Sequence, residues 1–251
     1  MDKPLVSIVI PAYNEQKNIK KCLESIKAQD YTGPREVIVC NNNSSDNTAQ
    51  IALDEGVLVV FESRPGVIFA REAGTRIAKG EIIIQTDADT YYEKNWLSRI
   101  VDTFEKNPEV VAVIGSFKFF DGPWWGKAFS GLLFGITNIV YKMSGKMIYI
   151  PGANTAFRKK FFHGYNLSLD QGGDEVALLK ELKKEGKILF LRNNAVLTSA
   201  RRLKKGLLYN IFVILIFYYV FDYTYRRITG KSIVTAFPRI RDKEKDFEHI
   251  R

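Results

Sequence analysis

Short apolar runs alternate with helical patterns along residues 1–120, and this alternation limits the fold more than any other feature of the sequence. Four runs rich in Val and Ile are typical of strands buried on both faces, at residues 5–10, 36–40, 57–61 and 82–85. Apolar residues at helical spacing mark segments at 14–29, 46–55, 69–79 and 95–106. We therefore predict an α/β fold with a Rossmann-like, mostly parallel central sheet flanked by helices.

The remaining elements are predicted from the same patterns, with Asn14 expected to cap the first helix. Further strands are expected at 147–150, 155–157, 187–191 and 195–197, and further helices at 128–141 and 175–185.

Polar clusters follow three of the predicted strands, where an open parallel sheet binds its ligands. The residues in these clusters that we expect to face a ligand are Pro11, Ala12, Tyr13, Glu15, Asn41, Asn42, Asp87, Ala88 and Asp89. No Gly-x-Gly-x-x-Gly follows the first strand and no Gly-Lys-Ser/Thr occurs, which disfavours dinucleotide oxidoreductases and P-loop proteins. The clusters should meet at one edge of the sheet.

Asp87 and Asp89 stand one residue apart at the end of the fourth strand. Two carboxylates this close repel each other when both are ionised, and a nearby cation offsets this repulsion. Hard oxygen ligands suit Mg2+ or Mn2+, and such an ion would hold a diphosphate. The alternative is a capped Asx-type turn before the helix at Asn95.

Cysteine and histidine usage bears on redox and metal chemistry. Cys22 and Cys40 lie in apolar-flanked stretches, which indicates buried thiols and no disulfide framework. His163 and His249 stand far apart in the sequence, which disfavours an imidazole zinc site. The first residues contain too short an apolar run for a secretory signal, so we expect a reducing compartment.

The charge of the chain indicates contact with phosphate in some form: 37 Lys and Arg against 28 Asp and Glu give a formal net charge of +9. Part of the excess flanks an apolar, aromatic run at 207–221, which is shorter than the roughly 20 residues needed to span a bilayer. We expect this run to be an interfacial membrane helix, and the alternative is a helix packed on its own domain or across a dimer. Nucleic-acid binding is disfavoured, because the basic residues surround an apolar helix and form no aromatic-interleaved groove.

Several ordered motifs resemble those of the family 2 glycosyltransferases, which have the GT-A fold, and the resemblance runs over residues 1–205. The matching stretches lie at 6–15, 36–39, 42–48, 70–74, 78–81, 87–89, 152–158 and 173–175. By this resemblance, Asp87 and Asp89 form the metal-binding motif and Arg71 belongs to the nucleotide-sugar site. Gly152, Ala153 and Asn154 would then lie on the acceptor side, and the acidic pair would be Asp174 and Glu175.

The chain departs from the family pattern at three places. Asn41 stands where the family usually has an aspartate that accepts a hydrogen bond from the base, which leaves the nucleobase open. The acidic pair has the order Asp174-Glu175, so either residue could be the base. No histidine follows Leu197; Arg201 and Arg202 come instead, and they would bind the diphosphate or form a solvated basic patch.

The resemblance implies an inverting hexosyltransferase that moves a sugar from a UDP- or GDP-sugar to a hydroxyl of a glycan or lipid-linked acceptor, assisted by Mg2+ or Mn2+. Two alternatives stay open. One is a polyprenyl-phosphate glycosyltransferase, whose phosphate acceptor needs no base. The other is a non-catalytic, membrane-attached binding protein of the same fold.

We also expect two units, a GT-A domain at 1–205 and a helical, membrane-associated extension with a polar tail at 206–251. The protein would then be peripheral, at the cytoplasmic face of a membrane.

Overall fold

The computed structural model describes residues 3–168, 173–206 and 208. The strands within them are β1 Val6–Ala12, β2 Arg35–Asn41, β3 Leu58–Phe61, β4 Ile82–Gln85, β5 Thr90–Tyr91, β6 Val110–Phe119, β7 Thr155–Arg158 and β8 Lys187–Thr198. The α-helices are α1 Ile19–Lys27, α2 Thr48–Asp54, α3 Val67–Ile77, α4 Trp96–Lys106, α5 Trp124–Ser144 and α6 Gly173–Glu185. Short 3-10 helices lie at Gly152–Asn154, Lys159–Phe161 and Arg201–Lys205.

One sheet joins these strands in the order β3-β2-β1-β4-β7-β6-β8-β5. The first four in this order are parallel, and β6 is parallel to β8, so the predicted α/β fold with a mostly parallel sheet is confirmed. β7 runs antiparallel to both of its neighbours and pairs Thr155 with Gln85. This reversal brings the 3-10 helix before β7 to the carboxyl end of β4.

Both faces of the sheet are covered by hydrophobic clusters, which explains why the strands are continuously apolar. In β1, Ile8 and Ile10 belong to the cluster beneath α1 and α4, whereas Val9 belongs to the cluster beneath α3 and α6. Cys22 and Cys40 are both buried, as predicted, and burial raises the pKa of each thiol to about 12. The clusters fix the helices over the sheet and leave its carboxyl edge open for a ligand.

Gly74 sets how closely α3 approaches the sheet. A Cβ atom at this position would collide with Sγ of Cys40 and with the Val9 side chain, so only glycine permits this packing. The close approach holds the preceding turn of α3, which carries Arg71, over the end of β4.

Three details differ from the predicted elements. α1 begins at Ile19, because Asn14 has a left-handed backbone (φ 51°) and its Oδ1 accepts a hydrogen bond from Ser45 N at 2.8 Å. The predicted strand at 147–150 is wrong, because this segment is irregular. The position in the sheet between β4 and β6 is taken by β7. The predicted strands at 187–191 and 195–197 form one strand, β8.

The predicted interfacial helix at 207–221 and nearly all of the predicted unit at 206–251 lie outside the described residues. Among the residues that the structure does describe, no helix is long and apolar enough to cross a membrane.

Candidate active site

A cleft of about 310 Å3 opens at the carboxyl edge of the sheet. It is lined by most of the residues predicted from the sequence, which are Pro11, Ala12, Tyr13, Glu15, Asn42, Arg71, Asp87, Ala88, Asp89, Gly152, Ala153, Glu175 and Arg201. The expectation that the three polar clusters meet at one edge is therefore confirmed.

Arg71 contacts three carboxylates from one almost fully buried position in α3. Its Nη1 lies 2.9 Å from Asp174 Oδ2 and 3.5 Å from Glu175 Oε1, and its Nη2 lies 3.3 Å from Asp87 Oδ1. Burial lowers the pKa of Arg71, but the charges of Asp174, Asp87 and Glu175 outweigh burial and raise it above its ordinary value. A permanently charged guanidinium thus joins the predicted metal motif to the predicted catalytic pair.

The two members of the acidic pair have different surroundings. The Asp174 side chain is 0% exposed and does not line the cleft, whereas the Glu175 side chain is 20% exposed and does. Glu175 Oε1 also accepts a hydrogen bond from Gly152 N at 3.0 Å, and a Cβ atom on Gly152 would collide with Arg71 and crowd Glu175. Only Glu175 of the pair can therefore meet a ligand in the cleft.

Burial raises the pKa of Glu175 to about 7, and this is the largest effect on that carboxyl group. Arg71 acts in the opposite direction and lowers the pKa, while the negative charge of Asp174 raises it further. A carboxyl group that exchanges its proton near neutral pH is suited to general base catalysis.

Arg201 forms a second charged cluster on the other side of the cleft. Its Nη1 donates to Glu15 Oε2 at 2.9 Å, and its Nη2 lies 2.7 Å from Asp89 Oδ2. Burial lowers the pKa of Arg201, but Asp89 and Glu15 raise it above the ordinary value. Asp121 supports this segment by accepting hydrogen bonds from Ser199 Oγ at 3.0 Å and from Ala200 N. The side chain of Arg202 lies outside the described part.

The donor atoms of Asp87 and Asp89 fit a hard divalent cation, since both carboxylates line the cleft. Within the described residues, no group of three or more His, Cys, Asp or Glu side chains could hold an ion. A site of one or two carboxylates completed by substrate phosphates is the usual arrangement for Mg2+. The residues present therefore fit an ion that binds together with a diphosphate.

Besides Asp174, two predicted residues with described side chains do not line the cleft. Asn41 is buried, and its Oδ1 accepts a hydrogen bond from Ser44 N at 3.3 Å. Asn154 is also buried, where its Oδ1 accepts a hydrogen bond from Trp96 Nε1 at 3.0 Å and its Nδ2 donates to Ser116 O at 2.8 Å. These contacts give both amides a role in holding neighbouring loops.

The cleft also contains residues that the sequence reasoning missed, which are Val67, Ala70, Phe117, Phe119, Tyr149, Pro151, Thr198, Ser199, Ala200 and Leu203. Phe117 and Phe119 lie at the carboxyl end of β6, which had not been predicted, and the short β5 had not been predicted either. The apolar run at 110–114 would have revealed β6 and therefore its end.

Comparison with known proteins agrees with this geometry. Residues 7–165 match the sequence model of Glycosyl transferase family 2. Glycosyltransferase AglE of Haloferax volcanii is 36% identical over 107 residues, which cover 40% of this chain and 35% of AglE. Glucosyl-dolichyl phosphate glucuronosyltransferase of the same organism is 27% identical over 118 residues, 44% of this chain and 37% of that protein. The matched segment thus spans about a third of the length of these relatives.

A solved structure shares the fold: mannosyltransferase PcManGT from Pyrobaculum calidifontis, in complex with GDP-Man and Mn2+. It superposes with a TM-score of 0.65 at 21% identity, covering 78% of this chain and 57% of PcManGT. The fold is therefore of the GT-A type, as predicted. Because the family match runs from β1 to beyond β7, over more than half of the sequence, the chain belongs to glycosyl transferase family 2.

Proposed function

We propose that this protein transfers a sugar from a nucleotide-diphosphate sugar to an acceptor hydroxyl with inversion at the anomeric carbon. The observation that carries the proposal is the Arg71 guanidinium, which contacts both Asp87 of the metal motif and Glu175 of the acidic pair at one cleft. A donor diphosphate and an acceptor hydroxyl bound at these two groups would be held side by side.

The donor would lie along the ends of β1 and β4. Pro11, Ala12 and Tyr13 line this side of the cleft and would hold the base, with Asn42 beside them. A UDP- or GDP-sugar is compatible with these residues, and the GDP-Man bound to PcManGT supports a donor of this class. Arg201, and Arg202 as predicted from the sequence, would contact the diphosphate.

Asp89 and Asp87 are the residues that would hold Mg2+ or Mn2+. The positive charge of the bound ion would stabilise the diphosphate as it leaves. The Mn2+ in the PcManGT complex supports this proposal.

Glu175 would act as the general base. Its carboxylate accepts the proton of the acceptor hydroxyl as the oxygen attacks the anomeric carbon, and the bond to the diphosphate breaks on the opposite face. Asp174 is fully buried and would position Arg71 without touching either substrate. On the acceptor side, Gly152 and Ala153 line the cleft near Glu175.

The acceptor class is a lipid-linked sugar in this proposal. The relative named glucosyl-dolichyl phosphate glucuronosyltransferase supports it, as does the apolar run at 207–221 with its basic flanks. We accordingly propose a peripheral location at the cytoplasmic face of a membrane. A polyprenyl phosphate acceptor is the second candidate, but a phosphate is already ionised and would leave the raised pKa of Glu175 without a use.

The test is a screen of UDP- and GDP-sugars for release of the nucleotide, with and without Mn2+ or Mg2+. Replacing Asp89 with Ala should abolish metal-dependent nucleotide binding and leave the fold intact, because it removes a ligand that faces the cleft. Asp102→Ala is the matched control, since Asp102 lies on α4 and its side chain is exposed. Metal-stimulated binding that survives in Asp89→Ala would contradict the metal assignment. Donor binding without any turnover would favour a non-catalytic protein.

A further inference from the structure

α5 has two apolar faces, and only one of them packs against other elements within the described residues. Its inner face is buried against β6 and β8 through Gly126, Ser130, Phe134 and Thr137. Phe134 packs edge to face on Phe117, with ring centroids 4.9 Å apart. This inner face accounts for the place of α5 in the fold.

The opposite face is exposed and is formed by large apolar side chains. We call it the outer face of α5, and it consists of Trp124, Phe129, Leu132, Ile136, Ile139 and Met143. The exposed fraction ranges from 49% at Ile136 to 83% at Met143. The spacing of three or four residues from Phe129 to Met143 puts these side chains in one stripe along the helix. A contiguous apolar stripe of this kind marks an interaction surface.

The charged residues of α5 and of the segment that follows it have one sign. No Asp or Glu occurs in the sequence between Asp121 and Asp170. Lys127 and Lys142 on α5 and Lys146 just after it are exposed. Apolar side chains flanked by lysines and free of acidic residues match an anionic headgroup layer above an acyl region. A second copy fits less well, because pairing the same face twice brings the lysines of both copies together.

The first turn of α5 lies next to a residue that lines the cleft. Gly126, in the first turn of α5, is so close to Leu203 that a Cβ atom there would meet Leu203 Cδ1 at 2.5 Å. Leu203 lines the cleft, and Lys204 and Lys205 follow it with exposed side chains. Any partner bound to this end of α5 would therefore lie next to the cleft.

We propose that the outer face of α5 is a docking site for an anionic phospholipid bilayer, with the helix lying in the plane of the interface. The outer face belongs to a different stretch of the sequence from the run at 207–221, and the proposal deepens the membrane location given under the proposed function. Vesicle binding requires neither donor nor turnover, so a failure of this inference is distinguishable from a failure of the transferase proposal.

The test is flotation of the full chain with vesicles of phosphatidylcholine, with and without phosphatidylglycerol. The variant Leu132→Ser with Ile136→Ser should bind the anionic vesicles about tenfold more weakly, because two apolar side chains leave the interface. Leu53→Ser with Leu58→Ser is the matched control, since both residues are about half exposed and lie outside α5. It should bind like the wild type. Trp124, which is exposed, should in addition be quenched by brominated acyl chains in the wild type, and Trp124→Phe should lose that quenching.

Three results would overturn the inference. The first is a failure to detect weaker binding: either the wild-type chain does not bind anionic vesicles, or the variant with both α5 substitutions binds them as tightly as the wild type. The second is a dimer in sedimentation experiments that the α5 pair dissociates, which would assign the face to a second copy. The third is Trp124 shielded from acrylamide in the absence of lipid, which would assign the face to another segment of the chain.

Discussion

Arg71 and Asp174 form an ion pair of 2.9 Å in which neither side chain is more than 3% exposed. Charges buried this deeply are stable only when each has its partner, because water no longer solvates them. The pair therefore fixes the guanidinium, and the same guanidinium then reaches Asp87 and Glu175 at the cleft. Asp174 contributes to the site through Arg71 although it does not face the ligand.

Replacing Arg71 with Ala should lower the free energy of unfolding by about 3–5 kcal/mol, because it removes the cationic partner of the fully buried Asp174 carboxylate. Urea unfolding of the two proteins measures this difference. Arg99→Ala, which removes a half-exposed arginine from α4, should change it by about 1 kcal/mol or less. Equal changes in the free energy of unfolding for the two substitutions would show that the buried ion pair stabilises the fold no more than an exposed one.

Replacing Glu175 with Gln should reduce turnover by about 10²-fold or more while donor affinity stays nearly unchanged. In the wild type, turnover should fall as the pH drops through about 7, since the base then becomes protonated. The variant should lose this dependence. Normal turnover in Glu175→Gln would mean that the acceptor needs no base and would favour a phosphate acceptor.

The raised pKa of Glu175 also predicts a pH dependence of stability. The folded protein holds this proton up to about pH 7, whereas the unfolded chain releases it near the ordinary glutamate value of 4.5. Between these values the folded state binds more protons, so its stability falls as the pH rises and is level above that window. Glu175→Gln should therefore gain stability relative to the wild type from about pH 5 to about pH 8. The denaturant midpoints of the variant and the wild type, measured at both ends of this pH range, give the change. A difference between the two proteins that does not vary with pH would contradict the prediction.

The sequence predicted one wall of the cleft better than the other. Asp87, Asp89 and Glu15 each follow a buried apolar strand, and the geometry of a parallel sheet then brings them to one edge. The link from Arg71 to Asp174 spans 103 residues, and no local pattern encodes such a pairing. The family resemblance assigned Arg71 to the donor site, but only the packing of α3 revealed its three partners.

In the sheet, the four neighbouring parallel strands β3, β2, β1 and β4 were predicted from the sequence. β7 enters between β4 and β6 in the opposite direction, and this choice depends on long-range pairing, since its sequence allows either direction. The pairing register between β6 and β8 shifts between Gly115 and Phe117, and the exposed Arg192 and Asn193 interrupt the apolar pattern of β8. An irregular strand of this kind appears as two short ones in the sequence, which is why β8 was predicted in two pieces.

Arg201 holds Asp89 and Glu15 through contacts that a divalent ion would have to replace at Asp89. Replacing Arg201 with Gln should therefore raise the affinity for Mn2+ without nucleotide by about tenfold, because the guanidinium no longer competes with the ion for Asp89. The same change should weaken binding of a nucleotide diphosphate by a similar factor, since the guanidinium no longer contacts the diphosphate. Calorimetric titration with Mn2+ alone, and then with UDP or GDP at saturating Mn2+, separates the two effects. Lys204→Gln is the control, because Lys204 lies in the same 3-10 helix but its side chain approaches Asp121 at 3.8 Å. An Arg201→Gln protein that binds Mn2+ no better than this control would show that the arginine does not compete with the ion.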